Sequence, residues 1–352
     1  VRRPSAGSSR SRSTVLLGSL ITALVVLGIV AAGIGQLHIP PAEIIGSLLH
    51  RVHVDLFPMP EHPQGDNALW KVRFPRVALA VLVGASLATA GALMQGVFGN
   101  PLAEPSVVGV SSGAAVGASL VIVTGTTVLG NWTTAVAAFV TGLATTLLVH
   151  TLSRAGRRTE VVTLVLTGIA VNSLTFTLIS FATFMANTSA REQLVFWQLG
   201  SLNGATWQAV SAVAPFTVAG VVAALVLARR LDLLALGDQS AAHLGVDVER
   251  LRLTAIVVVA LLVGASVAFS GIIGFVGLVV PHLIRMIAGP GHRLLIPASA
   301  LGGAVLVILA DLLARTLIRN ADLPIGMITS LVGAPFFFWL LRRTRSRQGG
   351  WA

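Results

Sequence analysis

Cysteine is absent from the 352 residues, and lysine occurs once, at Lys71. The first absence excludes a disulfide framework, thiolate metal sites and a cysteine nucleophile, and leaves the redox compartment open. The second excludes the phosphate-binding loop G-x-x-x-x-G-K-[ST], because Lys71 follows Trp70 rather than glycine. Charge of either sign is scarce as well: 11% of residues are charged and 55% hydrophobic, with a mean hydropathy of +0.87. Such a chain would expose far too much apolar surface in water, so its class is a polytopic membrane protein. The net charge of +11 does not point to nucleic acid, since the arginines fall between apolar runs instead of gathering on one surface.

What is present is a series of apolar runs. A basic, serine-rich tail at 1–13, carrying Arg2, Arg3, Arg10 and Arg12, leads into the run 14–36, which is longer than a secretory signal core and is read as an uncleaved first span. Residues 37–72 contain five prolines and four histidines (His38, His50, His53 and His62), and are expected to form an extramembrane connection with a short helix near 41–50. The histidine spacing matches no tight ligand motif, so solvated loop residues are preferred over a metal or haem-iron site. From Val77 to Phe98 no residue is ionisable, and these 22 residues, at about 1.5 Å of rise each, cover the roughly 30 Å hydrocarbon core of a bilayer. Gly84, Ala85, Ser86, Ala88, Ala90, Gly91 and Ala92 place this helix inside a bundle, because small residues let neighbouring backbones approach.

Further runs at 106–123, 132–153, 161–184, 207–228, 253–270, 272–287, 294–313 and 325–341 bring the expected total to ten spans. The run 272–287 is short and interrupted by Gly274, Gly277 and Pro281, which predicts a half-depth helix packed inside the bundle. Seventeen of the 24 basic residues fall in the N-terminal tail, near 154–158, in 229–252, in 285–293 and in the tail at 342–347. By the positive-inside rule these segments and both termini are expected on the cytoplasmic side. Residues 84–91 (GASLATAG) and 264–271 (GASVAFSG) then lie on spans of opposite direction, which predicts two inverted four-helix units, spans two to five and seven to ten. Shared composition explains the eight-residue match equally well.

Ion-coupled carriers usually bear ionisable residues within their spans. The clearest here is Asp311, and Arg315 four residues on favours a structural ion pair. The energy source is therefore expected on a partner. The connection 236–252, with Asp238, Asp247 and Glu249 among its bases, is the longest expected cytoplasmic one, and SAAHLG predicts a short helix ended by Gly245. Arg73, Arg76 and Arg315 stand at expected outer helix ends, where they either anchor the helices or offer a guanidinium fork to an acidic surface. Thr163, Thr167, Ala170, Ser173, Thr177, Ser180 and Phe184 draw a small and hydroxylic stripe at helical spacing, suited to close packing or to a polar passage.

Several stretches resemble one family. The start RFPR (73–76), the helix GASLATAG, Gln95, NPLAEP (100–105), GVSSGA (109–114), SGIIGFVGLVVPHLIR (270–285) and DLPIGMITSLVGAPFF (322–337) are similar, in order, to the FecCD-type permeases of iron-chelate, haem and cobalamin importers. The resemblance runs from about 15 to 343. It implies an all-helical permease of the type II importer fold in the bacterial cytoplasmic membrane. The expected partners are a second copy of itself, two ATP-binding subunits, a substrate-binding protein and the lipid bilayer. No permanently bound cofactor and no catalytic residue are implied, and haem or a ferric chelate is the expected cargo. On matching positions, Arg73, Arg76 and Arg315 would receive the binding protein, and Gly237, Ala241, Ala242 and Gly245 would form the coupling loop for the ATPase. Thr163, Thr167, Ser173, Thr177 and Ser180, with the tenth span, would line the passage between two copies. The segment 188–207 resembles haem permeases, whose arginine five positions before the tryptophan is replaced here by Glu192, with Arg191 one position earlier. A ferric-siderophore or cobalamin permease is the alternative in cargo. An ion-coupled carrier is the alternative in class, and an enzyme built on His150, His282 and Asp311 is a weaker one, those residues having no catalytic spacing.

Overall fold

The computed structural model describes residues 6–155, 158–318 and 321–347. Arg2, Arg3 and Arg157, from the expected basic segments, and the last five residues lie outside them. The helices are α1 (Ala6–Gly33), α2 (Pro41–His50), α3 (Gly65–Ala68), α4 (Phe74–Phe98), α5 (Val110–Thr124), α6 (Thr133–Leu152), α7 (Val161–Met185), α8 (Thr188–Leu199), α9 (Trp207–Leu234), α10 (Asp238–His243), α11 (Val248–Ser270), α12 (Val276–Ala288), α13 (His292–Thr316) and α14 (Ile325–Arg347). A two-residue hairpin, Arg154–Ala155 with Arg158–Thr159, follows α6.

Among the described residues, seven helices are long and apolar enough to cross a membrane, and Val110–Thr124, Val276–Ala288 and Ile325–Trp339 are shorter apolar helices. Together they give the ten segments read from the sequence, with different edges. Helical structure already begins at Gly65, inside the expected connection, and passes through a π-helical turn at Leu69–Arg73 into α4. Pro75, which has no N–H to donate and crowds the preceding turn, comes two residues after that widened turn. The first helix likewise extends back to Ala6, into the expected tail, and the last continues to Arg347.

The axis of the fold is α4, which packs against α9, α11, α12 and α13. Glycine makes the closest of these approaches. A methyl group on Gly84 would strike the Gly303 carbonyl of α13, one on Gly303 would strike the Gly84 carbonyl, and one on Gly91 would strike the carbonyl of Gly277 in α12. Backbones in such contact gain dispersion along their whole length, which is how helices adhere where no water is expelled.

The order long helix, short helix, long helix, helix occurs twice, in α4–α7 and in α11–α14. Each short helix starts from a left-handed residue, Gly109 (φ 78°) before α5 and Phe275 (φ 66°) before α12. Since α4 is the second of the ten segments and α11 the seventh, four crossings lie between them, an even number, and the two units run in opposite directions. The octapeptide match does not carry this repeat. It lies in the middle of α4 but at the very end of α11, so the shared residues reflect shared close packing.

Candidate functional site

The arginines expected at the outer ends are brought together with two aspartates. Arg76 donates through Nε to Asp311 Oδ1 at 2.9 Å and through Nη1 to Asp322 Oδ2 at 2.9 Å. Arg315 Nε lies 3.2 Å from Asp311 Oδ2, as the four-residue spacing predicted. The two long-range partners, Arg76 and Asp322, were not legible, since hundreds of residues separate them along the chain. Helix α1 leaves its last carbonyls without helical partners. They are taken up here: Arg315 donates to Ala31 O and Ile34 O, both at 3.1 Å, while Arg73 donates to Ala32 O at 2.6 Å, to Gly33 O at 3.0 Å and to Leu37 O. Arg73 and Arg76 are buried, and Asp311 is 1% exposed. Within one chain the three guanidiniums are thus occupied in tying α1, α4 and α13 together, rather than standing free as forks.

The opposite end of the bundle carries α10. Gly237 (φ 98°) turns the chain out of α9 and Gly245 (φ 83°) turns it back toward α11. Ala241 is buried, whereas Ala242, Gly245 and Leu244 are exposed, Leu244 by 58%. Leu244, an apolar side chain between His243 and Gly245 in the expected short helix and its cap, was the signal that the sequence reading passed over. Arg252 closes the loop on Asp238 at 2.9 Å, and Asp247 caps α11 by accepting from Arg250 N–H at 3.1 Å.

Helix α7 shows its hydroxyl stripe largely uncovered. Ser173, Thr177 and Ser180 are exposed and Thr163 and Thr167 half-buried. Ser173 and Thr177 donate to carbonyls one turn back, at 3.0 Å each, which satisfies the hydroxyls without a partner helix. Leu166, Leu174, Phe176, Phe181 and Phe184 on the same helix are exposed too, as are Leu331, Val332 and Phe338 on α14. On the inner side, Asn172 of α7 accepts from Ser112 of α5 at 2.6 Å.

Two motif residues acquire places that the sequence did not specify. Gln95 of α4 donates to the carbonyls of Gly277 and Leu278 in α12, at 3.4 and 3.2 Å. Glu104, in the connection between α4 and α5, accepts from Phe275 N–H at 3.3 Å and so links the starts of both short helices. Burial pushes its carboxyl group above the usual carboxylate range, against the opposing pull of the Phe275 and Ser106 hydrogen bonds. Glu192 and Gln193 of α8 line a cleft of about 740 Å³ with Asn131, Trp197, Asn203 and Phe269. Arg191 is folded back on the end of α7, donating to Ala186 O at 3.1 Å.

Of the weaker enzyme constellation, Asp311 is committed to arginines, while His150 and His282 sit on α6 and α12. In the connection 37–72, His50 pairs with Asp55 at 2.7 Å. Among the described residues no three of His, Cys, Asp or Glu gather as a metal site.

Ten apolar helical segments in two opposed units around a glycine-packed axis define a multi-pass membrane protein. The comparisons with known proteins agree. A model of the FecCD transport family matches residues 23–343, and the chain belongs to that family. It is 39% identical over 350 residues to the hemin transport system permease protein HmuU of Yersinia pestis, covering 97% of this chain and 100% of that one. It is 42% identical over 272 residues to the cobalamin import system permease protein BtuC of Halobacterium salinarum, covering 77% and 72%. A solved structure of a metal-chelate type ABC transporter in an inward-facing conformation superposes with a TM-score of 0.81 at 33% identity, covering 93% of this chain and 98% of that one.

Proposed function

We propose that this chain is the permease of an ATP-driven importer that brings haem or a ferric chelate across the cytoplasmic membrane. Two copies face each other through α7 and α14, whose exposed apolar side chains and hydroxyl stripe (Thr163, Thr167, Ser173, Thr177, Ser180) lie on faces that the chain itself leaves uncovered. Both termini and α10 lie in the cytoplasm, where the arginine-rich connections belong. One ATP-hydrolysing subunit seats on each α10, against the surface formed by Gly237, Ala242, Leu244 and Gly245, with Ala241 holding the short helix to its own bundle. The observation that carries the reading is this exposed, salt-bridged helix at the end opposite the arginine cluster of a FecCD-family chain.

On the outer face a substrate-binding protein docks with an acidic surface. Arg76 serves it by exchange: Asp322, whose side chain is 37% exposed, is the partner that an incoming carboxylate can replace. Arg73 and Arg315 hold the helix ends in register for that contact. The permease keeps no permanent cofactor, and the cargo passes between the copies.

Full-length similarity to a hemin permease supports haem as cargo. Glu192, in place of an arginine and lining the outer cleft, favours a second reading with a ferric siderophore or cobalamin. Liposomes holding the permease and its ATPase, supplied with each cargo on its binding protein, are expected to accumulate haem only with internal ATP. Accumulation of another chelate instead would replace the cargo and keep the machine. Uptake that follows an ion gradient without ATP would overturn the class.

A further inference from the structure

Asp232 lies in the last turn of α9, a few residues before α10 opens at Asp238. Its Oδ1 accepts two hydrogen bonds from His292, the first residue of α13, one from the backbone N–H at 2.8 Å and one from ring Nδ1 at 2.7 Å. A carboxylate only accepts, so the hydrogen is assigned to Nδ1. The backbone donor is one of those that a helix start leaves unpaired, and α13 therefore receives its cap from another helix. The ring is 2% exposed. Its Nε2 is buried without a hydrogen-bond partner and faces Gly96 of α4, where an added methyl group would collide with it. The neighbouring Gln95 holds α12. One imidazole thus joins the last turn of α9 to α13 and to the axis of the fold.

The connection from α9 to α10 has little slack. Gly237 N–H bonds to Leu234 O at 2.9 Å, Ala235 N–H to Leu231 O at 3.1 Å, and Arg252 ties α11 to Asp238. A displacement of α10 therefore pulls on the turn that carries Asp232. A cap alone needs only the backbone bond; the second bond and the packing on Gly96 add a rigid link into the core.

We propose that Asp232 and His292 form a positioning pair that transmits movement of α10 to α13 and α4, so that hydrolysis in the partner is converted into opening of the passage. This rests on the reading that an ATPase subunit seats on α10. The test compares cargo imported per ATP hydrolysed in liposomes holding permease, ATPase and binding protein. In Asp232→Ala and His292→Leu the ratio is expected to fall about five- to tenfold, the range of a modest coupling free energy, while hydrolysis and assembly persist. His292→Asn, whose amide N–H takes the place of Nδ1, is expected to keep most of the wild-type ratio. His292→Leu leaves the backbone cap intact and decides the matter if Asp232→Ala does not assemble. An unchanged ratio in His292→Leu, or equal loss of import and hydrolysis in both leucine and asparagine variants, would overturn the pair. Absence of import by the wild-type assembly with competent partners would remove the importer reading, and this inference with it.

Discussion

The two ends of the bundle solve opposite problems. At one end Arg73, Arg76 and Asp311 are buried and Arg315 is half-buried, and each guanidinium donates to a carboxylate or to the spent end of α1. At the other end α10 is exposed, held by one half-exposed ion pair and two positive-φ glycines. Charge that is buried must be paired, and its loss is felt as stability. Charge that stays wet contributes little, and its segment is free to meet a partner. The contrast separates residues that keep the bundle assembled from those that address it.

Altering two residues at each end sharpens that contrast. Asp311→Ala leaves Arg76 with only the part-exposed Asp322 and Arg315 with only the carbonyls at the end of α1, and is expected to cost about 3 kcal/mol, read as the largest fall in apparent melting temperature in detergent. Arg73→Gln removes the side-chain donor from the carbonyls of Ala32 and Leu37 and one of two donors from Gly33 O, at about 1–3 kcal/mol; protease cleavage after α1 should become faster in step with the melting shift. Asp238→Asn loosens only the pair with Arg252 and is expected to cost ~0–1 kcal/mol, below the shift of either outer variant in the same assay. Leu244→Asp, on the exposed face of α10, is expected to change stability by less than about 0.5 kcal/mol, yet to abolish co-purification of the ATPase. A melting loss in Leu244→Asp as large as that of Asp311→Ala would break the comparison.

Local signals were legible and distant ones were not. Proline at the start of α2, glycine after α10 and the four-residue step from Asp311 to Arg315 act within one or two turns, so the chain displays them directly. The small residues of α4 announced close packing, although not that Gly84 meets Gly303 and Gly91 meets Gly277. The partners of Arg76, the Glu104 contact with Phe275 and the Asp232–His292 pair join segments far apart in the chain, which only the fold juxtaposes. The stripe on α7 was visible as a pattern, but its exposure depends on which helices fail to cover it.

The Gly84–Gly303 crossing has a mechanical meaning. Where two main chains touch with no side chain between them, there is nothing compliant to deform, and α4 and α13 are held as one rigid pair. On the proposed function, a change of shape would then fall to the helices that the chain leaves less covered, α7 and α14.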